Sequence, residues 1–117
     1  MKKVSRKDFD LFKKECLRLQ AAWGLTGWEL TFHFSSLLSE NQAACIDKDL
    51  EAHNATLTLS SEVSAHCKSD PKGHAKHEML HLLLARVSEY GKYRYITSYQ
   101  QGEAEHELIQ QLMKIIP

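Results

Sequence analysis

The sequence has few of the residues that interrupt or cross-link a chain. Among 117 residues there are two prolines, five glycines and three cysteines. Because no stretch is rich in proline or glycine and no segment repeats, we expect a single domain over residues 1–117. The cysteines Cys16, Cys45 and Cys67 are odd in number, and none belongs to a C-x-x-C pair. A disulfide framework is therefore not expected, and buried thiols in a reducing compartment are the preferred interpretation.

The chain also lacks net charge and long apolar runs. Fifteen basic residues balance fifteen acidic ones, and no run of Lys or Arg predicts a nucleic-acid or anionic membrane surface. No apolar run approaches the roughly 18 residues that a membrane span needs. The first residues lack the apolar core of a secretory signal. We therefore expect a cytoplasmic protein with no nucleic-acid partner and no membrane partner.

The spacing of apolar residues in the first segment predicts a helix. These residues recur three and four positions apart, namely Phe9, Phe12, Cys16, Leu19 and Trp23. They form one face of an amphipathic helix. The preceding Ser5-x-x-Asp8 resembles a capping box, with Asp in place of the usual Glu, and Gly24 can end the helix.

The next segments favour extended structure. Apolar and polar residues alternate from Trp28 to Phe34, which is typical of a half-buried strand. A weaker alternation covers Gln42 to Leu50, and a third strand is predicted from Ala55 to Ser60 after a turn. Since the connections are short, we expect a small antiparallel or mixed sheet of about three strands.

Two further helices are predicted after the strands. Asp70 is placed to cap a helix whose first position is Pro71, and the apolar pattern continues to about Tyr90, where Gly91 can terminate it. A last helix is predicted from about residue 101 to 116. The order of helix, strands, helix and helix predicts an α+β fold.

The helix that begins at Pro71 contains the pattern H-E-x-x-H. Histidines four residues apart on a helix lie one turn above each other, so His77 and His81 can reach one metal ion. Zinc suits imidazole ligands. Glu78 lies beside them, where it can take a proton from a water molecule. The alternative interpretation is a polar stripe on an ordinary amphipathic helix.

A catalytic zinc site typically has three protein ligands, and the last helix offers the third. Its apolar face is marked by Leu108, Ile109, Leu112, Ile115 and Ile116. Glu105 falls on that face, whereas Glu103 and Glu107 fall on the solvent side. A carboxylate on a buried face is costly unless it is paired or binds metal. We therefore predict Glu105 as the third ligand, with Glu103 and His106 as the next choices.

Other roles remain open for polar residues near the motif. Glu105 is alternatively a partly buried carboxylate that pairs with Arg86, Arg94 or a tyrosine. His74 is expected to be exposed in the first helical turn, with a role beside the metal or substrate as its alternative. The connection between the helices is surrounded by four tyrosines, Tyr90, Tyr93, Tyr95 and Tyr99. One of them can donate a hydrogen bond to an oxyanion, although a packing role is the preferred interpretation for each.

The motif and its surroundings carry a family resemblance. The segment from His77 to Leu84, followed by Glu105 in a terminal helix, resembles the small gluzincin-type metallopeptidases. It is especially similar to the compact forms that are often encoded by phages or prophages and are sometimes called minigluzincins. The segment Leu25-Thr26-Gly27-Trp28-Glu29-Leu30 is similar to the entry of their first strand.

The resemblance implies a zincin-like fold, in which a small sheet packs on the H-E-x-x-H helix and a second helix brings a glutamate. It implies His77, His81 and Glu105 as zinc ligands and Glu78 as the general base. The expected activity is peptide-bond hydrolysis by a zinc-activated water, on a peptide or protein substrate.

The binding site for that substrate is expected along an edge strand, over residues 28–34 or 42–50. The main alternative is a non-catalytic or latent regulatory module, stabilised by a metal that a fourth protein ligand such as His74 or His106 encloses. A weaker alternative is a metal-dependent amidase or another hydrolase of non-peptide substrates.

Overall fold

The computed structural model describes residues 2–36, 42–64, 70–85 and 98–116. Within these ranges the chain has an α+β fold, which confirms the predicted class. Its elements are, in chain order, β1 (Lys2–Lys3), α1 (Arg6–Ala22), β2 (Glu29–Ser35), β3 (Ala44–Asp49), β4 (Asn54–Ser60), β5 (Glu62–Val63), α2 (Pro71–Leu83) and α3 (Ser98–Ile115). No helix in the described ranges is long and apolar enough to cross a membrane.

The main sheet has three strands in the order β2–β4–β3. β2 runs parallel to β4, and β3 runs antiparallel to it, so the sheet is mixed, which is one of the two predicted forms. β4 lies in the centre and is the most buried strand, consistent with its run of Leu57, Thr58 and Leu59. β1 and β5 form a separate antiparallel pair, which the sequence did not predict because two-residue strands leave no periodic signal.

The first helix begins and ends as its sequence predicts. Ser5 is its N-cap, and the Ser5 hydroxyl accepts a hydrogen bond from the backbone N–H of Asp8 at 3.1 Å. Trp23 is the C-cap, and Gly24 follows with a φ of 71°. A positive φ is the conformation that glycine adopts without steric cost.

The core lies between the sheet and the helices α1 and α2. Its fully buried members come from α1, β4 and α2: Phe9, Phe12, Cys16, Leu19, Ala55, Leu57, Leu59, Ala75, Met79 and Leu82. The Phe9 ring stacks on Phe34 with centroids 5.1 Å apart, and Phe12 meets Phe32 edge-on at 6.4 Å. Burial of each large apolar side chain contributes about 1.5–3 kcal/mol. The core residues of α2 hold one face of that helix against the sheet and α1. The orientation of the helix, and so of its opposite face, is thereby fixed.

The second helix starts at the predicted position but ends earlier. Asp70 is the N-cap, with a side-chain oxygen that accepts from the Gly73 N–H at 3.1 Å. The helix ends at Leu83, because Leu84 leaves the helical region with φ −93° and ψ 4°. The predicted unbroken continuation is therefore wrong at Leu84, and the predicted end near Tyr90 lies outside the described residues. Leu82 and Ala85, on the two sides of this end, are both buried, so the hydrophobic pattern does not mark it; Gly91 also lies outside the described residues.

The third helix spans Ser98–Ile115, close to its predicted range, and docks against α2. Ile109 is completely buried. Lys76 of α2 donates a hydrogen bond from Nζ to the Met113 carbonyl at 3.0 Å and a second one to the Ile116 carbonyl. A cation at the last carbonyls of a helix stabilises that end. Lys76 therefore fastens the C-terminus of α3 to α2.

The cysteines in the described part of the chain are free thiols, as predicted. Cys16 is fully buried in the core, and burial raises the pKa of its thiol. Cys45 is half-buried on β3. Cys67 lies outside the described residues. The prediction of buried thiols is thus confirmed for Cys16 and holds in part for Cys45.

Candidate metal centre

The H-E-x-x-H motif lies in the C-terminal half of α2, and its residues face two environments. Met79 and Leu80 are fully buried, whereas His77 and His81 are half-buried at a pocket. The imidazole centroids of the two histidines are 5.1 Å apart. Because core packing fixes α2, both imidazoles are held on the pocket side as the spacing predicts.

The third helix brings another imidazole to the same place. The ring of His106 lies 5.9 Å from that of His77 and 4.9 Å from that of His81. One ligand nitrogen of each histidine lies within 4.8 Å of the other two. Nitrogens bound to a tetrahedral zinc at 2.0–2.1 Å stand about 3.4 Å apart. The three nitrogens are thus gathered at separations close to those of a coordinated set, and the donor set fits the metal predicted from the sequence.

Glu105 lies beside these rings and contacts one of them. Its Oε1 accepts a hydrogen bond from Nδ1 of His81 at 3.0 Å, and its side chain is 11% exposed. This confirms the predicted partial burial of Glu105 and identifies His81 as one partner. Among the described residues, the group whose ligand atoms converge consists of His77, His81 and His106. The role of Glu105 as a metal ligand stays a prediction.

The electrostatics of the pocket keep two of the histidines neutral. Burial and, to a smaller extent, the charges of His81, His106 and His74 lower the pKa of His77 to about 4, while Glu105 acts in the opposite direction. Burial also lowers the pKa of His81, although its hydrogen bond to Glu105 acts in the opposite direction. A histidine binds metal only in its neutral form. Both imidazoles are therefore in the ligand form at neutral pH.

Glu78 is the buried carboxyl group of the site. Its residue is 8% exposed, and burial raises the pKa of Glu78 to about 8, with the positive charge of Lys48 acting in the opposite direction. A raised pKa makes a carboxylate a stronger base near neutral pH. A cation bound nearby would lower this pKa and favour the ionised form. Glu78 lines the same pocket as the histidines, and its role as a proton acceptor stays a prediction.

These residues open into a pocket of about 720 Å³ between the site helices and the sheet. Its far wall is formed by residues 43–46 of the β3 edge together with Lys48. Of the two edge strands predicted to bind substrate, β3 lines this pocket. β2 lies at the opposite edge of the sheet. The edge over residues 42–50 is thus the one in position to serve the site.

The other residues considered from the sequence differ in their relation to the pocket. His74 is half-buried and lines it, rather than being exposed. Glu103 and Glu107 are exposed, as predicted. Tyr99 is 74% exposed, and Tyr90, Tyr93, Tyr95, Arg86 and Arg94 lie outside the described residues. Lys48 was not singled out from the sequence, because an alternating polar position on an edge strand carries no signal of a nearby site.

Comparison of the chain with protein-family models, with curated proteins and with solved structures finds no match. The gluzincin resemblance of the motif therefore stays a prediction from the sequence. Any function assigned to the protein must be supported by the side chains of the pocket and by their geometry.

Proposed function

We propose that the protein is a zinc-dependent metallopeptidase with a zincin-like arrangement, in which the H-E-x-x-H helix and a second helix share the metal. The observation that carries this proposal is the convergence of three imidazoles beside a buried glutamate, Glu78, in a pocket with a sheet edge as its wall. His77 and His81 hold the metal from α2, and α3 supplies the remaining protein ligand. The three-stranded mixed sheet packed against α2 supports the fold assignment.

The donor set is one that zinc accepts and that leaves room for substrate. Neutral imidazole nitrogens are common zinc ligands, and three protein ligands leave a further position open towards the pocket. A bound zinc ion supplies a Lewis acid, which polarises a carbonyl group and makes water more acidic. The low pKa of His77 and the lowered pKa of His81 mean that few protons must leave before the metal binds.

Glu78 performs the proton transfers of the reaction. Its carboxylate accepts a proton from the attacking water and then passes that proton to the amine that leaves when the peptide bond breaks. Its position next to His77 on the helix places it beside the metal ligands. Because the carboxyl group is desolvated, its pKa is raised above that of an exposed glutamate, which makes its ionised form a stronger base.

The peptide substrate lies along the edge of β3. β3 pairs with β4 on one side, and in the described residues no strand pairs with its other side. An extended peptide that adds to such an edge is held by main-chain hydrogen bonds. Residues 43–46 of this edge face the histidines across the pocket, so a peptide bound there would pass the reactive groups.

The proposal is tested with the variant Glu78→Gln. We expect this change to preserve zinc binding and to lower peptide hydrolysis by a factor of about 10² or more, since the amide cannot accept a proton. Zinc content is measured by elemental analysis and hydrolysis with a peptide library. Glu29→Gln is the matched control, because Glu29 is exposed on β2; it should keep full activity. Unchanged hydrolysis in Glu78→Gln would contradict the mechanism.

A non-catalytic, metal-stabilised regulatory module is the second candidate function. One observation favours it: His74 lines the same pocket and lies close enough to His77 to influence its pKa. A fourth protein ligand would close the site and exclude water. Four protein ligands on the metal, together with no hydrolysis of peptides or other amides, would support this module over a hydrolase.

A further inference from the structure

We infer that His106 is the third metal ligand and that Glu105 is a positioning residue that holds His81 from the side opposite the metal. This inference rests on the proposed metal site and changes its ligand set. The sequence favours two histidines and a glutamate, whereas the geometry favours three histidines supported by a glutamate. The two arrangements differ in charge and in what each substitution does.

The hydrogen bond of His81 gives the first part of the argument. Nδ1 of His81 lies 3.0 Å from Oε1 of Glu105. A carboxylate oxygen accepts hydrogen bonds, so Nδ1 of the neutral ring carries the proton and Nε2 carries the lone pair. Metal-binding histidines characteristically donate their second ring N–H to a carboxylate or a carbonyl group. Glu105 therefore occupies the position of such a supporting carboxylate.

His106 has the same kind of support from its own helix. Its Nδ1 lies 2.8 Å from the carbonyl oxygen of Gly102, one turn earlier in α3. A carbonyl oxygen can only accept, so Nδ1 of His106 must carry the proton, and Nε2 of the neutral ring is left as the ligand atom. Two of the three converging imidazoles are thus held in the same tautomer, each by an acceptor on Nδ1. Glu105 has no equivalent place in the converging group.

This assignment also explains the burial of Glu105 without a metal bond. Glu105 interrupts the apolar face of α3, and its side chain is only 11% exposed. Its hydrogen bond to His81 supplies the polar partner that a buried carboxylate needs. The neighbouring His106 is placed by the helix about 100° further round its axis. One turn of α3 thus presents a ligand and a supporting carboxylate to different sides of the site.

The charge of the site follows from the ligand set. Three neutral imidazoles leave both positive charges on the ion, whereas a carboxylate ligand would neutralise one of them. Glu105 then compensates this charge through His81 rather than by direct contact, and it strengthens His81 as a donor. Removal of the Glu105 carboxylate should weaken zinc binding while all three ligands remain. Removal of His106 should take away one of the three ligands.

The test combines nitrogen NMR with zinc titrations. In the zinc-loaded protein labelled with 15N, long-range 1H–15N spectra show which imidazole nitrogens bind the ion; we expect three bound rings, with His81 and His106 bound through Nε2. Competition with a chromophoric chelator should show Glu105→Ala weakening zinc binding by about 10–100-fold, with three rings still bound. Glu105→Gln retains an acceptor oxygen and should weaken binding less. His106→Ala should show one bound ring fewer, and its zinc affinity should fall further than that of either Glu105 variant.

Glu107→Ala is the matched control, because Glu107 is exposed on the same helix and lies outside the converging group; its zinc affinity should be unchanged. If His106→Ala fails to fold, the spectrum of the unmodified protein still decides the ligand set. Two bound rings, with loss of zinc in Glu105→Gln, would overturn the inference while leaving the proposed peptidase intact. Three bound rings without peptide hydrolysis would contradict only the proposed activity. A protein that binds no zinc would overturn both.

Discussion

The two helices that form the metal centre are anchored in different ways. α2 contributes Ala75, Met79 and Leu82 to the main core, where each is at most 2% exposed. Among the described side chains of α3, the one that is fully buried is Ile109. A helix fixed by the core holds its side chains in place without a ligand. The α2 half of the site is therefore built into the core, whereas the α3 half depends on how well α3 docks.

The docking of α3 is linked to the site through Lys76. This residue precedes His77 on α2 and binds the carbonyl groups of Met113 and Ile116. At the other end of the contact, Glu105 binds His81. Both polar contacts thus join α3 to the helical turns that carry the motif histidines. A bound metal shared between the helices would add a third link and should stabilise α3 more than α2.

Substitutions in the apolar contacts of the two helices should have the largest effects. Met79→Ala should lower the free energy of unfolding by about 2–5 kcal/mol, because it leaves a cavity in the main core. Ile109→Ala should lower it less, because α3 can loosen while the core persists, but it should weaken zinc binding more. Urea denaturation and zinc titration of both variants measure these effects. Equal losses of stability and of zinc affinity would contradict the difference between the helices.

The stability of the metal-free protein should depend on pH through groups on α2, among which His77 and Glu78 have the large pKa shifts. The pKa of His77 is about 4 in the folded protein, against an ordinary value of 6.5. Between these values the unfolded state binds more protons than the folded state, so stability falls as the pH falls from 6.5 to 4. The pKa of Glu78 is about 8 against an ordinary 4.5. The folded state then binds more protons than the unfolded state, and stability falls, by on the order of a few kcal/mol, as the pH rises from 4.5 to 8.

Urea denaturation of the metal-free protein across this pH range checks the prediction. The two groups oppose each other between pH 4.5 and 6.5, and above 6.5 the loss due to Glu78 should be seen alone. Glu78→Gln should abolish that loss, because the amide does not ionise. A loss of the same size in Glu78→Gln would assign it to another group.

Removal of the lysine contact should have a smaller effect. Lys76→Met keeps a long apolar side chain but removes the donors to the last carbonyls of α3, and we expect a loss of about 1 kcal/mol. Amide hydrogen exchange should increase in α3 and not in α2, and zinc affinity should fall. The matched control is Lys72→Met, since Lys72 is exposed on the same helix. An equal effect of both variants would argue against a specific role for Lys76 in docking.

The smallest effect is expected on the exposed side of α3. Glu107→Gln should leave zinc affinity and stability within about 0.5 kcal/mol of the unmodified protein, because Glu107 is exposed and is not part of the converging group. Glu105→Gln provides the comparison on the pocket side of the same helix. A zinc affinity that fell equally in both variants would indicate a general effect of charge rather than the contact with His81.

The parts of the fold that the sequence predicted are those with local causes. The start of α1 at Ser5 and the start of α2 after Asp70 depend on hydrogen bonds within one helical turn. The strands followed from alternation along the chain. The end of α2 at Leu83 and the pairing of β1 with β5 were not predicted, because both depend on the backbone conformation and contacts of the folded chain.

The metal centre shows the same division between features with local causes and features that depend on the folded chain. The sequence by itself determined that His77 and His81 share one side of a helix beside Glu78, since the helical repeat sets this geometry. Only the tertiary structure decided that His106 joins them, that Glu105 contacts His81, and that β3 walls the pocket. The order β2–β4–β3 and the docking of α3 bring distant segments together. Such contacts arise from packing in three dimensions, which residue spacing along one helix or strand does not encode.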